Sequence, residues 1–70
     1  MAVSYKKLWK MLIDKDMKKK DLRELTKLSS STIAKMTKNE PVSTDVLIKI
    51  CAVLNCDVGD IMEIVPDSKE

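Results

Sequence analysis

Residues 17–36 read MKKKDLRELTKLSSSTIAKM, and the apolar side chains in this segment recur at helical spacing. The pattern formed by Leu22, Leu25 and Thr26 predicts a first helix of two turns. This helix is expected to end near Lys27 or Leu28. Ser29 is a favoured helix cap, so a second helix is expected directly after it. The candidates for the inner side of this helix are Thr32, Ile33 and Met36. Two short helices that share a core across so tight a connection cross at a steep angle, which is the helix-turn-helix arrangement.

The preceding segment predicts another helix. Ser4 is a good cap, and the turn after the helix is expected at residues 14–16. The apolar positions between them are Tyr5, Leu8, Trp9, Leu12 and Ile13. Both aromatic side chains fall on this apolar face, so they are expected in the core or at its edge.

The following segment predicts a fourth and a fifth helix. Pro41 breaks the third helix because proline has no amide hydrogen to donate, and Ser43 caps the next helix, which ends at Asn55. The apolar stripe of the fourth helix is Val46, Leu47, Ile50, Cys51 and Leu54. Asp57 is expected to cap a short final helix that Pro66 stops. Its apolar residues are Val58, Ile61, Met62 and Val65.

These helices predict an all-α fold, since no stretch alternates in the strand period for long enough to indicate a sheet. With 70 residues the chain has room for one domain, residues 1–70. We expect an ordered core over about residues 4–65 and a short tail at 66–70.

Composition argues against an enzyme. The chain has no histidine, which removes the commonest general base and metal ligand, and we expect no catalytic residue, metal or cofactor. Cys51 and Cys56 are expected to be reduced thiols, because there is no secretory signal and no second ligand pair for a metal. The longest apolar run, residues 50–54, is far too short for a membrane helix, so we expect a protein that is neither membrane-spanning nor exported.

Charge is distributed unevenly along the chain. Residues 1–40 hold eleven basic and five acidic side chains, a net +6, whereas residues 41–70 hold two basic and six acidic ones, a net −4. A polyanion would therefore meet the amino-terminal part of the domain. The alternative is a lysine-rich face that only solvates the protein.

Residues 28–36, LSSSTIAKM, resemble the turn and recognition helix of the lambda-repressor-like family of Cro/CI-type (XRE) regulators. Leu28 and Ile33 occupy the two most characteristic apolar positions of that motif. Residues 43–54 and 56–62 are similar to the family's fourth and fifth helices, and the resemblance covers roughly residues 5–65. It implies a five-helix, lambda-repressor-like DNA-binding domain.

The chain departs from the family pattern at Lys19, Arg23, Lys27 and Ser30. Where the family has a small residue, either Arg23 must run its aliphatic stem out along the helix pair or the pair must open slightly. Lys27 replaces a glycine in the turn, which predicts a non-glycine residue with positive φ at a cost of about 1 kcal/mol.

The resemblance implies that the third helix, about residues 30–38, lies in the major groove of duplex DNA. The residues it would present to base edges are Ser30, Ser31, Thr32 and Lys35. Those expected at the phosphate backbone are Lys19, Lys20, Lys38, Asn39, Ser43 and Thr44. Two alternatives stay open: Ser30 and Ser31 are ordinary first-turn residues, and residues 18–20 are solvated charge.

The resulting hypothesis is a sequence-specific transcriptional regulator, cytoplasmic and encoded by bacteria, their phages or mobile elements. One such helix contacts few base pairs, so we expect a homodimer on half-sites about 34 Å apart, with Ile64 and Val65 as candidates for the contact. No small-molecule ligand is expected. The rival hypothesis is a protein-interaction module of the same fold, with an antitoxin-like or anti-repressor role.

Overall fold

The computed structural model describes residues 2–66. It contains four α-helices, one turn of 3₁₀ helix and two short strands. In chain order these are β1 (Ala2–Ser4), α1 (Lys6–Asp14), α2 (Lys19–Thr26), α3 (Ser30–Thr37), α4 (Thr44–Leu54), the 3₁₀ turn (Val58–Asp60) and β2 (Glu63–Val65). Among these residues, no helix has the length and hydropathy needed to cross a bilayer.

One hydrophobic core joins the four helices. Its buried members are Tyr5, Leu8, Leu12, Leu22, Ile33, Met36, Ile50, Leu54 and Ile61. The helix α2 packs against both α3 and α4. The contact between α2 and α4 thereby supports the α2–α3 pair on its core side. The opposite side of α3 faces solvent.

The predicted fifth helix is wrong. Asp57 does act as a cap, since its carboxylate accepts the Val58 N–H at 2.7 Å, but the helical segment ends after a single 3₁₀ turn at Asp60. The chain then extends as β2, which pairs antiparallel with β1 and places Val3 opposite Ile64. The fold is therefore mostly helical with a strand pair. Strands of three residues are too short to show a period, and this pair joins the two ends of the described chain, so no local pattern signals it.

Two apolar residues that the sequence pattern assigned to the apolar faces of helices are exposed to solvent. Ile13 is 75% exposed and Leu25 is 58% exposed. Since α2 has only two turns, the narrow face formed by Leu22 and Thr26, four residues apart, is the part that reaches the core. The buried Thr26 hydroxyl is satisfied because it donates to the Leu22 carbonyl at 2.7 Å.

The caps follow the predictions at two of three serines. The Ser29 hydroxyl accepts the Thr32 N–H at 3.2 Å, and the Ser43 hydroxyl accepts the Val46 N–H at 3.4 Å. Ser4 is not the cap of α1: it belongs to β1, and Tyr5 occupies the cap position without a side-chain cap bond. Pairing with β2 holds the Ser4 backbone extended, so the helix begins one residue later than predicted.

Candidate nucleic-acid interface

The turn between α2 and α3 has a left-handed residue where the sequence predicts one. Lys27 has φ 60° and ψ 28°. A side chain in this conformation costs about 1 to 2 kcal/mol. The following Leu28 is half-buried against the core, and Ser29 then caps α3. Arg23, on α2, is half-buried, as expected for a long side chain whose stem lies along its neighbours.

Hydroxyl groups cluster at the start of α3. The Ser29 oxygen lies 3.0 Å from the Ser31 hydroxyl oxygen and 3.0 Å from that of Thr32. Ser30 and Ser31 are exposed, whereas Thr32 is half-buried. Because Ser31 and Thr32 already bond to Ser29, any contact of theirs with a base must use their remaining hydrogen-bonding capacity.

The two sides of α3 are chemically opposite. Ile33 and Met36 are buried in the core, while Lys35 is exposed. Lys35 borders a surface hollow of about 300 Å³ between α3 and the start of α4. The residues that line this hollow are Thr32, Lys35, Pro41, Val42, Ser43 and Val46. Tertiary structure thus brings predicted base-contacting residues of α3 beside Ser43, a predicted phosphate-contacting residue of α4.

Lys19 connects three helices. Its ammonium nitrogen lies 4.3 Å from the centroid of the Trp9 ring on α1 and donates to the Thr37 hydroxyl on α3 at 3.0 Å. The Thr37 hydroxyl in turn donates to the Ile33 carbonyl at 3.0 Å. Lys19 therefore has a positioning role that sequence reasoning missed, and no spacing rule relates these three positions. The neighbouring Lys20 is exposed.

Asn39 is engaged within the protein. It has φ 60°, and its side-chain oxygen accepts the Tyr5 N–H at 3.1 Å. The Tyr5 hydroxyl donates to the Glu40 carbonyl at 2.9 Å. These bonds attach the loop after α3 to the start of α1, and only the Asn39 amide hydrogens remain as donors for a phosphate. Burial raises the pKa of the Tyr5 hydroxyl, partly offset by a hydrogen bond with the Val42 backbone.

The start of α4 combines favourable and unfavourable groups for an anion. Ser43 and Thr44 are exposed at the positive end of the helix dipole. Asp45 lies in the same first turn, and its carboxylate repels a phosphate. Lys38, a predicted phosphate contact, is exposed just after the end of α3.

The helices α2 and α3 share one core and are joined by a left-handed turn, and the polar side of α3 faces outward. This arrangement defines a helix-turn-helix domain. Residues 7–67 match the family model of the Cro/C1-type HTH DNA-binding domain. The chain belongs to this family, and the resemblance found in the sequence is confirmed.

The chain is also similar to a solved structure. The crystal structure of the transcriptional regulator VanUg, Form II, is 61% identical in sequence and superposes with a TM-score of 0.92. The match covers 94% of this chain and 88% of that one. No curated protein matches the chain. Family and neighbour together support a DNA-binding regulator.

Proposed function

We propose that this protein is a sequence-specific transcriptional regulator that binds double-stranded DNA with α3 in the major groove. The observation that carries the proposal is the division of α3: Ile33 and Met36 anchor it in the core, and Ser30, Ser31 and Lys35 remain exposed. A helix held in this way presents a polar edge without unfolding any part of the domain. Membership in the Cro/C1-type family supports DNA as the partner.

Base readout rests mainly on Lys35 and Ser30. An ammonium group donates to guanine O6 and N7, and a serine hydroxyl bonds to several bases. Ser31 and Thr32 contribute less, because both hydroxyls are already bonded to Ser29. Short hydroxyl side chains discriminate weakly, so we assign part of the specificity to water-mediated contacts and DNA shape.

Phosphate contacts come from both sides of α3. Lys20, Lys38, Ser43 and Thr44 are exposed and fit this role directly. Lys19 and Asn39 act first as positioning residues, and each retains donors for a phosphate: the other ammonium hydrogens of Lys19 and the amide hydrogens of Asn39.

We further propose that residues 1–70 act as one domain and bind DNA as a homodimer. One α3 helix covers few base pairs, so useful specificity requires two half-sites about 34 Å apart. Ile64 on β2 is 57% exposed and Val65 is half-buried, which makes this strand available for a second copy. Membership in the Cro/C1-type family supports a cytoplasmic regulator encoded by a bacterium, a phage or a mobile element.

Selection of preferred duplexes from a random pool tests the proposal. We expect enrichment of a two-fold symmetric site whose half-sites are one helical turn apart, or a multiple of it. Binding to that site should weaken steeply with salt, by about 0.9 log units per phosphate contact for each tenfold rise in salt concentration. Weak binding without sequence preference would contradict the proposal and favour the protein-interaction module.

A further inference from the structure

The carboxyl end of α4 places two cysteines beside each other. Asn55 is left-handed, with φ 55°, and its N–H donates to the Cys51 carbonyl. The Cys56 N–H donates to the same carbonyl at 3.1 Å. This is a Schellman-type helix ending. In such an ending, the side chain of the residue three positions before the last helical residue packs against that of the residue after the left-handed one. In this chain those two residues are Cys51 and Cys56.

The two cysteines are neighbours and both are reachable from solvent. Each cysteine is half-buried and carries a free thiol. Both line an open groove of about 640 Å³ between α4 and the 3₁₀ turn. The remaining groove wall is mostly apolar and includes Leu47, Ile48, Ala52 and Val58. A small reagent in this groove therefore approaches both cysteines.

From this geometry we infer that Cys51 and Cys56 form a dithiol site that low-molecular-weight disulfides oxidise to an intramolecular disulfide. The thiolate of one cysteine attacks the reagent's sulfur–sulfur bond, which forms a mixed disulfide and releases one reagent thiolate. The second cysteine then attacks the protein sulfur of the mixed disulfide and releases the other reagent thiolate. The protein loses two protons and two electrons, and the reagent takes them up to become two thiols.

The adjacency of the thiols determines the product. In the mixed disulfide, the helix ending keeps the second cysteine beside the first, so closure is intramolecular and fast. Burial and the neighbouring Cys51 raise the pKa of the Cys56 thiol, so the reaction should accelerate as the pH rises above the usual range for thiols. The bridge would tie α4 to the segment that carries the 3₁₀ turn and the buried Ile61. Neither cysteine is a proposed DNA contact, although Thr44, a proposed phosphate contact, lines the same groove.

The test is incubation of the full chain with glutathione disulfide, followed by intact mass measurement. We expect a monomer that lacks two hydrogens and carries no glutathione, and that dithiothreitol restores. Cys51→Ser and Cys56→Ser should each stop at one glutathione adduct. The wild-type chain in urea provides a comparison that does not depend on the folding of a variant: closure of the bridge should be slower there, by about tenfold or more, because the chain no longer holds the thiols together.

Stable glutathione adducts on wild-type protein would overturn the inference, because they would mean that the second thiol does not reach the first. Covalent dimers, an unreactive native protein, or equal closure rates in buffer and in urea would overturn it as well. None of these results bears on DNA binding, so they leave the proposed function unaffected.

Discussion

The Tyr5 hydroxyl donates a hydrogen bond to the Glu40 backbone carbonyl at 2.9 Å, across 35 positions of sequence. The same tyrosine donates its backbone N–H to the Asn39 side chain. Through these two bonds the start of α1 holds the loop that leaves α3. The orientation of α3, and of the hollow beside Lys35, therefore depends on a residue outside the helix-turn-helix.

Tyr5→Phe should lower the free energy of unfolding by about 1 to 2 kcal/mol, since the ring still fills the core but the Glu40 carbonyl loses its donor. The pKa of the wild-type Tyr5 phenol is raised in the folded state, so the protonated phenol stabilises the fold. This stabilisation is fully present below the usual tyrosine pKa of 10.0 and is lost as the pH rises through the pKa of the folded state. Urea unfolding of both proteins at neutral and alkaline pH measures this. The difference between them should shrink above pH 10.0; a constant difference would contradict the assignment.

Lys35→Ala should relax the preference at one base pair and cost about 1 to 3 kcal/mol on the selected site, with little change on random DNA. Lys20→Ala is the matched variant, because Lys20 is also exposed but is assigned to phosphate. It should weaken all sequences alike and reduce the salt slope by about 0.9. Competition binding on single-base variants of the site separates the two. An equal loss on specific and random DNA for Lys35→Ala would remove it from base readout.

Lys19→Met should lower the free energy of unfolding by about 0.5 to 1 kcal/mol through loss of the cation–π contact with Trp9, in addition to loss of the bond to Thr37. Trp9 is the single tryptophan of the chain, so its fluorescence reports the change directly. Lys20→Met, one residue further along α2, should leave the emission and the unfolding midpoint unchanged. Identical spectra for all three proteins would show that the Lys19 ammonium does not occupy the Trp9 face in solution.

Ile64→Glu should weaken self-association if β2 provides the dimer contact, because a charge would replace an apolar side chain at the interface. Ile13→Glu is the control, since Ile13 is 75% exposed and lies at the end of α1. Sedimentation over a range of protein concentrations gives the dimer dissociation constant for each variant. If both variants dimerise like the wild type, the contact surface lies elsewhere.

Lys27→Gly should raise the free energy of unfolding by up to about 1 kcal/mol, because glycine adopts the left-handed conformation without the penalty of a side chain. Lys15 ends α1 with φ −91°, so Lys15→Gly gains no such relief and should destabilise the protein. Thermal and urea unfolding of the two variants should move in opposite directions. A destabilised Lys27→Gly would mean that the Lys27 side chain makes contacts that outweigh its backbone strain.

Features that depend on neighbours in sequence follow from the sequence alone. The caps at Ser29 and Ser43 act on amides three residues away, and the left-handed Lys27 follows from the short turn that it must form. The buried positions Ile33 and Met36 follow from helical spacing in the same way. These interactions are complete within one turn of helix, so the local residues suffice to predict them.

Tertiary structure alone decided the contacts between distant segments. The sequence carries no signal for the Val3–Ile64 pairing, and that pairing replaces the fifth helix by a strand. The roles of Lys19 and Asn39 depend on Trp9 and Tyr5, which approach them only after the helices pack. In each case the stabilising contact is between groups that become neighbours only when the whole core packs. No local pattern of residues predicts that they will meet.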